Sequence, residues 1–474
     1  MEKSIRRVTN YRGYEENTLA ILETFCALDS SHVHDDRLAF LEAVRFSSIV
    51  PENGTAPTCK MMEAIFEIMR DAKSLELILA SYRLLSELEK RFPRVCLFKE
   101  DNKLSLSDKP VELLVGEAWS PFSIGPDVAS SDRHTANRRS NELVDAISFQ
   151  LLLESLCEVA KGTKSSDTKL EFLTKMLLFQ YLIDILEGDF LPRNSSFLEN
   201  LNWTSLRDSL LNKLLGSRRL NYKNLVKDSL FILCNQFHAH YLTNHDTGAA
   251  KSSSPTMCDN SDPALAFCLP DAEKCTCKAV QRFLIMMMDL DSSRKKAGMQ
   301  GLTTRVDGVR TPVIELIMDE LSYHKDKISP FLQAFDEPKL KLEIVSQYIQ
   351  KYNVKPSTRK RKLIDSPDDA AITGFLKCFL SSTSTKGIVR KVGSEAVQVL
   401  LAHLLQASMS IPDEHLIEEI SGLENDFRSS PLVNICNSII SAFTKLKETD
   451  AHLELLPISK EALFTAATVL STRS

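Results

Sequence analysis

The sequence predicts an all-α protein, and three observations carry that expectation. Apolar residues recur every three or four positions through most of the 474 residues, the spacing that gives a helix one buried face. Glycine is scarce, at 15 residues, and tight hairpins and phosphate-cradling loops depend on its positive φ. No convincing strand pattern separates the helical stretches. Hydrophobic residues make up 43% and charged residues 26%, which supplies a large core and argues against global disorder.

Taken in order, Thr18 to Leu28 and Leu38 to Val44 carry helical spacing, with Asp35 as a cap for the second. Val50-Pro51-Glu52-Asn53-Gly54 breaks the chain with strong turn formers. Thr58 then caps a helix whose inner face is Met61, Met62, Ile65, Phe66 and Met69. Leu75, Ile78, Leu79, Leu85 and Leu88 continue the pattern to Arg91, and Pro93 stops it, giving an αα-hairpin. Residues 94–140, with Pro110, Pro121, Gly125 and Pro126, are expected to form an irregular loop. Helices are expected over 141–160, 169–186, 203–215 and 222–241, followed by a polar linker or insertion at 244–272.

The second half resumes with Ala279 to Leu290. Thr311-Pro312 opens a helix with the stripe Val313, Ile314, Ile317, Met318 and Leu321. The next places Leu342, Val345, Ile349 and Tyr352 on one face. A basic linker spans 354–369, and helices follow near 397–405, 432–446 and 460–470. The expected organisation is a flexible tail 1–13, an N-terminal helical array 14–243, the linker 244–272, and a C-terminal array 273–474. Helices of about 12 to 20 residues joined mostly by short turns suit armadillo/HEAT-like stacked helical hairpins, an α-solenoid; an irregular bundle is the competing architecture.

The formal net charge of −5 gives no global basic footprint of the kind duplex DNA binders show. Eleven cysteines, an odd number, include Cys26, Cys157, Cys234, Cys378 and Cys436 in predicted helices. That is the usage of small buried side chains in a reducing compartment. The segment Met1 to Arg7 lacks an apolar signal core. The dense apolar run Phe283 to Met288 falls far short of the ~20 residues needed to span a bilayer. A soluble intracellular protein is expected.

No GxxxxGK[ST], GxGxxG, HExxH or GxSxG pattern occurs, so neither nucleotide-binding nor hydrolase chemistry is indicated. The expectation is a protein without catalytic residues, metal or cofactor. His238, His240, His245, Cys258, Cys268, Cys275 and Cys277 form the one tempting metal cluster. Zinc favours two close ligand pairs with two to four residues between partners. Here one residue separates Cys275 from Cys277 and nine separate Cys258 from Cys268, while His238 and His240 on one helix point about 200° apart. The acidic pairs Asp35/Asp36, Asp368/Asp369 and Glu418/Glu419 suit helix starts and solvent faces. Met286 to Met288 with Leu290 reads either as a soft binding groove or as core.

One short motif has a clear functional reading. Arg359, Lys360, Arg361 and Lys362 follow Lys355-Pro356 in the basic linker, and consecutive cations on an accessible segment are what the acidic groove of an import receptor grips. The alternative is a solvated linker. Ser366-Pro367 lies just downstream, where phosphate would add negative charge. Two loops combine glycine with polar residues at a helix entrance and are candidate partner surfaces: Asp307 to Arg310, and the loop holding Glu52 and Asn53. The same residues also serve as turn and cap formers. A weaker reading makes Arg294, Lys295, Lys296, Arg305 and Arg310 a phosphate-contacting strip.

Several strings resemble a known family. Leu41-Glu42-Ala43-Val44-Arg45, Val50-Pro51-Glu52-Asn53-Gly54, Ala64-Ile65-Phe66, Arg91-Phe92-Pro93 and Glu117-Ala118-Trp119-Ser120-Pro121-Phe122 are similar to the N-terminal half of the plant negative regulators of systemic acquired resistance. Asp307-Gly308-Val309-Arg310-Thr311-Pro312, Lys341-Leu342-Glu343-Ile344-Val345, Ile439 to Thr444 and Lys460 to Ala466 continue the resemblance in order. It implies a nuclear, armadillo-like protein that represses defence-gene transcription. It also implies an accessory subunit of the Smc-type DNA-repair complex, without enzyme activity, so no catalytic residue is carried over. The stretch 244–272 is longer and more polar here than in that family.

Overall fold

A computed structural model describes residues 15–20, 30–98, 112–115, 119–124, 143–161, 168–245, 263–308, 310–352, 376, 378–379, 381–412, 416, 430–450 and 452–473. The chain divides into two compact units, 1–313 and 314–474, and among the described residues almost all regular structure is helical. The tail 1–13, the basic linker 354–369 with Arg359 to Lys362, and Cys26 and Cys258 lie outside the described residues.

The first unit begins with α1 (Ser30–Ser48), α2 (Cys59–Asp71) and α3 (Leu75–Arg91). Thr58 caps α2, its hydroxyl accepting the Met61 N–H at 3.3 Å. Met61, Met62, Ile65, Phe66, Ile68 and Met69 are buried, so the sequence stripe is the packed face. The Phe66 ring packs in tilted contact 5.5 Å from Trp119 and 6.1 Å from Tyr181.

The segment after Arg91 departs from the sequence expectation. Instead of a wholly irregular loop, β1 (Val95–Phe98) and β2 (Glu112–Val115) pair antiparallel, Val95 opposite Val115 and Phe98 opposite Glu112. Both strands are short runs rich in apolar residues, too brief to show a periodicity of two. Arg94 anchors the ribbon through a bidentate pair with Glu89, Nε to Oε1 at 2.6 Å and Nη2 to Oε2 at 2.8 Å.

The helices α4 (Ala146–Ala160), α5 (Lys169–Asn200), α6 (Trp203–Arg207), α7 (Leu210–Gly216), α8 (Tyr222–His245) and α9 (Pro263–Met299) complete this unit. A capping box starts α5: Thr168 Oγ1 accepts the Glu171 N–H at 3.2 Å, and the Glu171 carboxylate accepts the Thr168 N–H at 2.8 Å. α5 runs past Leu186, where the sequence suggested its end, and carries Pro192 inside it. Buried polar partners sustain it there. Asp189 Oδ1 takes Arg193 Nε at 3.0 Å, and its Oδ2 takes the Leu210 N–H at 2.6 Å at the start of α7.

Because its buried residues lie on every side, α5 is the centre of the unit, touched by α2, α3, α4, α6, α7, α9 and both strands. That hub arrangement differs from a ladder in which each helix meets only its sequence neighbours. Phe149 of α4 meets Phe179 of α5 at 5.9 Å and Phe283 of α9 at 5.6 Å. The helices α5 and α9 run parallel: Gln180 pairs with Ala272 and Thr276, Asp184 with Arg282, and Asn194 with Ser293. Helix α9 also corrects the linker expected at 244–272, since it begins inside that stretch at Pro263 and packs Leu265 and Ala272. Met286, Met287 and Met288 are buried, so they are core and not a groove.

The second unit holds most of α10 (Val313–Tyr323), then α11 (Ile328–Gln333), α12 (Pro338–Tyr352), α13 (Ser382–Val392), α14 (Ser394–Met409), α15 (Pro431–Thr449) and α16 (Pro457–Arg473). Val313, Ile317, Met318 and Leu321 are buried as expected, as are Leu342, Val345 and Ile349. α14 is the core of this unit, touching α11, α12, α13, α15 and α16. Buried Gln398 ties it to the turn before α16, donating to the Glu454 carbonyl at 3.1 Å and accepting the Leu456 N–H at 3.0 Å.

Candidate functional site

The stretch from Met299 to Val313 is the most constrained connection in the first unit. Helix α9 ends in a left-handed Gly301 at φ 71°, with the Leu302 N–H bonded back to the Ala297 carbonyl at 2.9 Å. This six-to-one bond fixes the exit direction. A single 3₁₀ turn at Arg305–Asp307 follows. Asp307 accepts the Thr304 N–H at 2.6 Å and the Thr304 hydroxyl at 3.1 Å. Burial opposes its ionisation, but these bonds and the Trp203 indole outweigh it and hold the carboxyl below its ordinary value.

Arg310, expected at a partner surface, is turned inward. Its Nη2 lies 2.8 Å from Asp291 Oδ1, the two side chains only 10% and 11% exposed. Its guanidinium stacks 4.8 Å above the Tyr222 ring. The other oxygen of Asp291 accepts the Val313 N–H at 2.7 Å and thereby caps α10. The sequence pointed to Thr311 for that role; the Val313 N–H is taken instead by a carboxylate 22 positions before it. Arg294 joins the cluster through Asn212, Nη2 to Oδ1 at 2.9 Å. Two of the five cations in the postulated phosphate strip, Arg294 and Arg310, are thus spent inside the fold, leaving Lys295, Lys296 and Arg305 exposed.

At the other candidate loop, Arg91 Nη2 donates to the Pro51 carbonyl at 2.9 Å and also to that of Glu52. A Cβ on Gly54 would run into the Ser48 carbonyl, which accounts for glycine there. The backbone is pinned while the Glu52 and Asn53 side chains face solvent. Beside them Phe46 and Val50 are exposed.

Sequence reasoning missed another surface. Since α5 and α9 run parallel, their C-terminal ends coincide, and exposed apolar side chains gather there: Leu198 (51%), Leu201, Met299 (70%) and Leu302. Lys295 and Lys296 stand one turn before Met299. Monomer surfaces scatter single exposed leucines; several at one end of a rigid helix pair are what a protein interface uses. The missed signal was the apolar spacing of Leu191 and Leu198, beyond the expected helix end at Leu186.

Ser329 with His403, and Cys157, have a catalytic look. Ser329 Oγ lies 2.9 Å from His403 Nε2, but burial and the neighbouring Lys341 push the imidazole down to about 4, too weak a base to activate a hydroxyl. Cys157 is pushed up to about 11 by burial, so it remains a thiol. A cavity of about 520 Å³ is lined by Lys73, Ser74, Leu75, Glu76, Leu79, Leu170 and Leu265, and Ser74 Oγ there lies 3.1 Å from His34 Nε2, which stands 3.8 Å from the Glu76 carboxylate. Among the described residues, no three His, Cys, Asp or Glu side chains cluster closely enough to hold a metal ion. His238, His240 and His245 occupy the last turns of α8, and Cys268, Cys275 and Cys277 are free thiols along α9. No described helix is long and apolar enough to cross a membrane.

Comparison with known proteins places this geometry. Residues 94–337 match the SNI1 middle domain, and residues 353–474 match the SNI1 C-terminal domain. The chain is 40% identical over 472 residues to an Arabidopsis thaliana protein described as negative regulator of systemic acquired resistance SNI1, covering 99% of this chain and 97% of that one. No solved structure matches. With both domains in order and identity along its whole length, the chain belongs to the SNI1 family.

Proposed function

We propose that this protein restrains inducible defence genes in a plant nucleus as a non-enzymatic scaffold, holding protein subunits of a Smc-type chromosome-maintenance complex that acts in DNA repair and recombination. One observation carries the reading: similarity along the full chain to a negative regulator of systemic acquired resistance. Physical features support the scaffold part. The buried pairs Arg94–Glu89, Arg193–Asp189 and Arg310–Asp291 hold the fold together, and the exposed Leu198, Leu201, Met299 and Leu302 leave apolar surface for another protein. Armadillo-like stacking of consecutive helices, as in α2 with α3 and α15 with α16, belongs to the same reading. Arg359 to Lys362 provide the contact for an import receptor. Direct nucleic-acid binding is the lesser reading, because Arg294 and Arg310 are committed to Asn212 and Asp291.

The test has two arms. Replacing Arg359 to Lys362 with alanine in a fluorescent full-length protein is expected to shift it from nucleus to cytoplasm; unchanged nuclear accumulation removes the import assignment. Affinity purification of the tagged wild-type chain from nuclei is expected to recover Smc-type subunits in stoichiometric amounts, and their absence from the eluate overturns the complex assignment.

A further inference from the structure

One carboxylate latches the 304–312 loop on both sides of a dipeptide. Asp291 Oδ1 takes Arg310 Nη2 at 2.8 Å, and its Oδ2 takes the Val313 N–H at 2.7 Å. Thr311 and Pro312 stand between those two contacts. The ion pair is about nine-tenths buried on both sides. Its surroundings are balanced, with Arg294 and Arg310 beside Asp291 and Asp307. A negative charge added next to such a pair disturbs it.

Thr311 is where that charge can be added. A proline-directed kinase takes a serine or threonine that precedes proline, on an exposed chain threaded through its cleft in extended form. Four such pairs fall among the described residues, at Ser120, Thr311, Ser329 and Ser430. Ser120 Oγ accepts the Phe122 N–H at 3.2 Å. Ser329 lies within α11, its Oγ 2.9 Å from His403 Nε2. Ser430 is half-buried at the start of α15. Thr311 alone of the four is exposed, and it belongs to no helix or strand; the proline after it disfavours helical backbone there. We propose that Thr311 is a phosphorylation site for a proline-directed kinase, and that its phosphate releases the Asp291 latch. The threonine Oγ attacks the γ-phosphorus of ATP, the bond to ADP breaks, and the hydroxyl proton passes to the kinase's catalytic aspartate. The product carries close to two negative charges. Arg310 is the preceding residue and Val313 lies two further on, at most about 7 Å along the chain, so the phosphate stands beside Asp291. An exposed dianion stays hydrated; it draws the Arg310 guanidinium outward or repels the Asp291 carboxylate, and either movement takes the cap from the Val313 N–H. The boundary between the two compact units falls at Val313, so the modification loosens the segment that joins them. This regulation stands apart from the scaffold reading and holds or fails without it.

The test treats the full-length chain and its Thr311→Val variant with mitogen-activated and cyclin-dependent kinases and magnesium ATP. Intact mass and fragment spectra count and place the phosphates, and Ser366-Pro367 of the same chain reports kinase action elsewhere. The wild type is expected to carry one phosphate more than the variant, located at Thr311. Hydrogen exchange is then compared over the peptide from Arg310 to Leu316, with both proteins carrying the same remaining phosphates. Exchange at the Val313 amide is expected to be about fivefold faster or more in the protein phosphorylated at Thr311, the factor that a lost cap is worth, and the unfolding midpoint lower. Thr311 left unmodified by every kinase, whether or not Ser366 is filled, overturns the site. Phosphate at Thr311 with unchanged or slower exchange at Val313 overturns the latch.

Discussion

Replacing Asp291 with alanine removes two interactions at once, and their size follows from the geometry. The ion pair with Arg310 is about nine-tenths buried on both sides; deleting one partner of such a pair leaves an uncompensated charge and costs about 3–5 kcal/mol. The lost cap on the Val313 N–H adds roughly 1 kcal/mol. Arg310→Ala removes the ion pair and the stacking on Tyr222 but leaves the cap, so its cost is expected to be smaller. In the double variant the same pair cannot be lost twice, and the coupling energy is expected at about 1–3 kcal/mol. Guanidinium denaturation of all four proteins gives the cycle, and hydrogen exchange at the Val313 amide reports the cap separately. The reasoning is refuted if Arg310→Ala keeps wild-type stability and loses only partner binding, for Arg310 would then be the surface residue that its loop position suggested.

Two further outcomes follow from burial. His403 is only 1% exposed and its imidazole sits at about 4 against an ordinary 6.5. Below pH 6.5 the unfolded chain therefore takes up a proton that the folded chain refuses. Stability is expected to fall from pH 6.5 towards pH 4, by about 2 kcal/mol at pH 5. His403→Gln is expected to flatten that part of the profile, and an unchanged slope contradicts the assignment. Phe66→Ala, which empties the contact with Trp119 and Tyr181, is expected to cost about 3–5 kcal/mol. Phe464→Ala, at a 75% exposed position, is expected to stay within about 0.5 kcal/mol in the same denaturation series.

What the sequence disclosed was whatever is local. The α2 stripe from Met61 to Met69 was legible because cap, period and stop lie within one short segment. The helix of 32 residues at the centre was only half legible. Gly188 and Pro192 are honest breakers, and the Asp189 contacts that override them come from α5 itself and from Leu210, 21 positions on. The β1–β2 ribbon was invisible because four residues per strand carry no measurable period and the two strands lie some fourteen residues apart. The inward turn of Arg310 was hidden for a related reason. A loop of Asp, Gly, Val and Arg looks solvated until Asp291 and Tyr222 are known to lie beside it. The apolar end formed by Leu198 and Met299 required the parallel register of two helices about a hundred residues apart, which periodicity in one helix cannot reveal.

The central claim is that this protein acts by offering surface to other proteins. Leu198→Asp combined with Met299→Asp tests it most directly, because both side chains are exposed and neither supports the core. The variant is expected to unfold at the wild-type denaturant concentration and to fail, when expressed in plants lacking the endogenous protein, to return inducible defence transcripts to their repressed level. Full repression by a variant that folds normally and accumulates like wild type would contradict the claim.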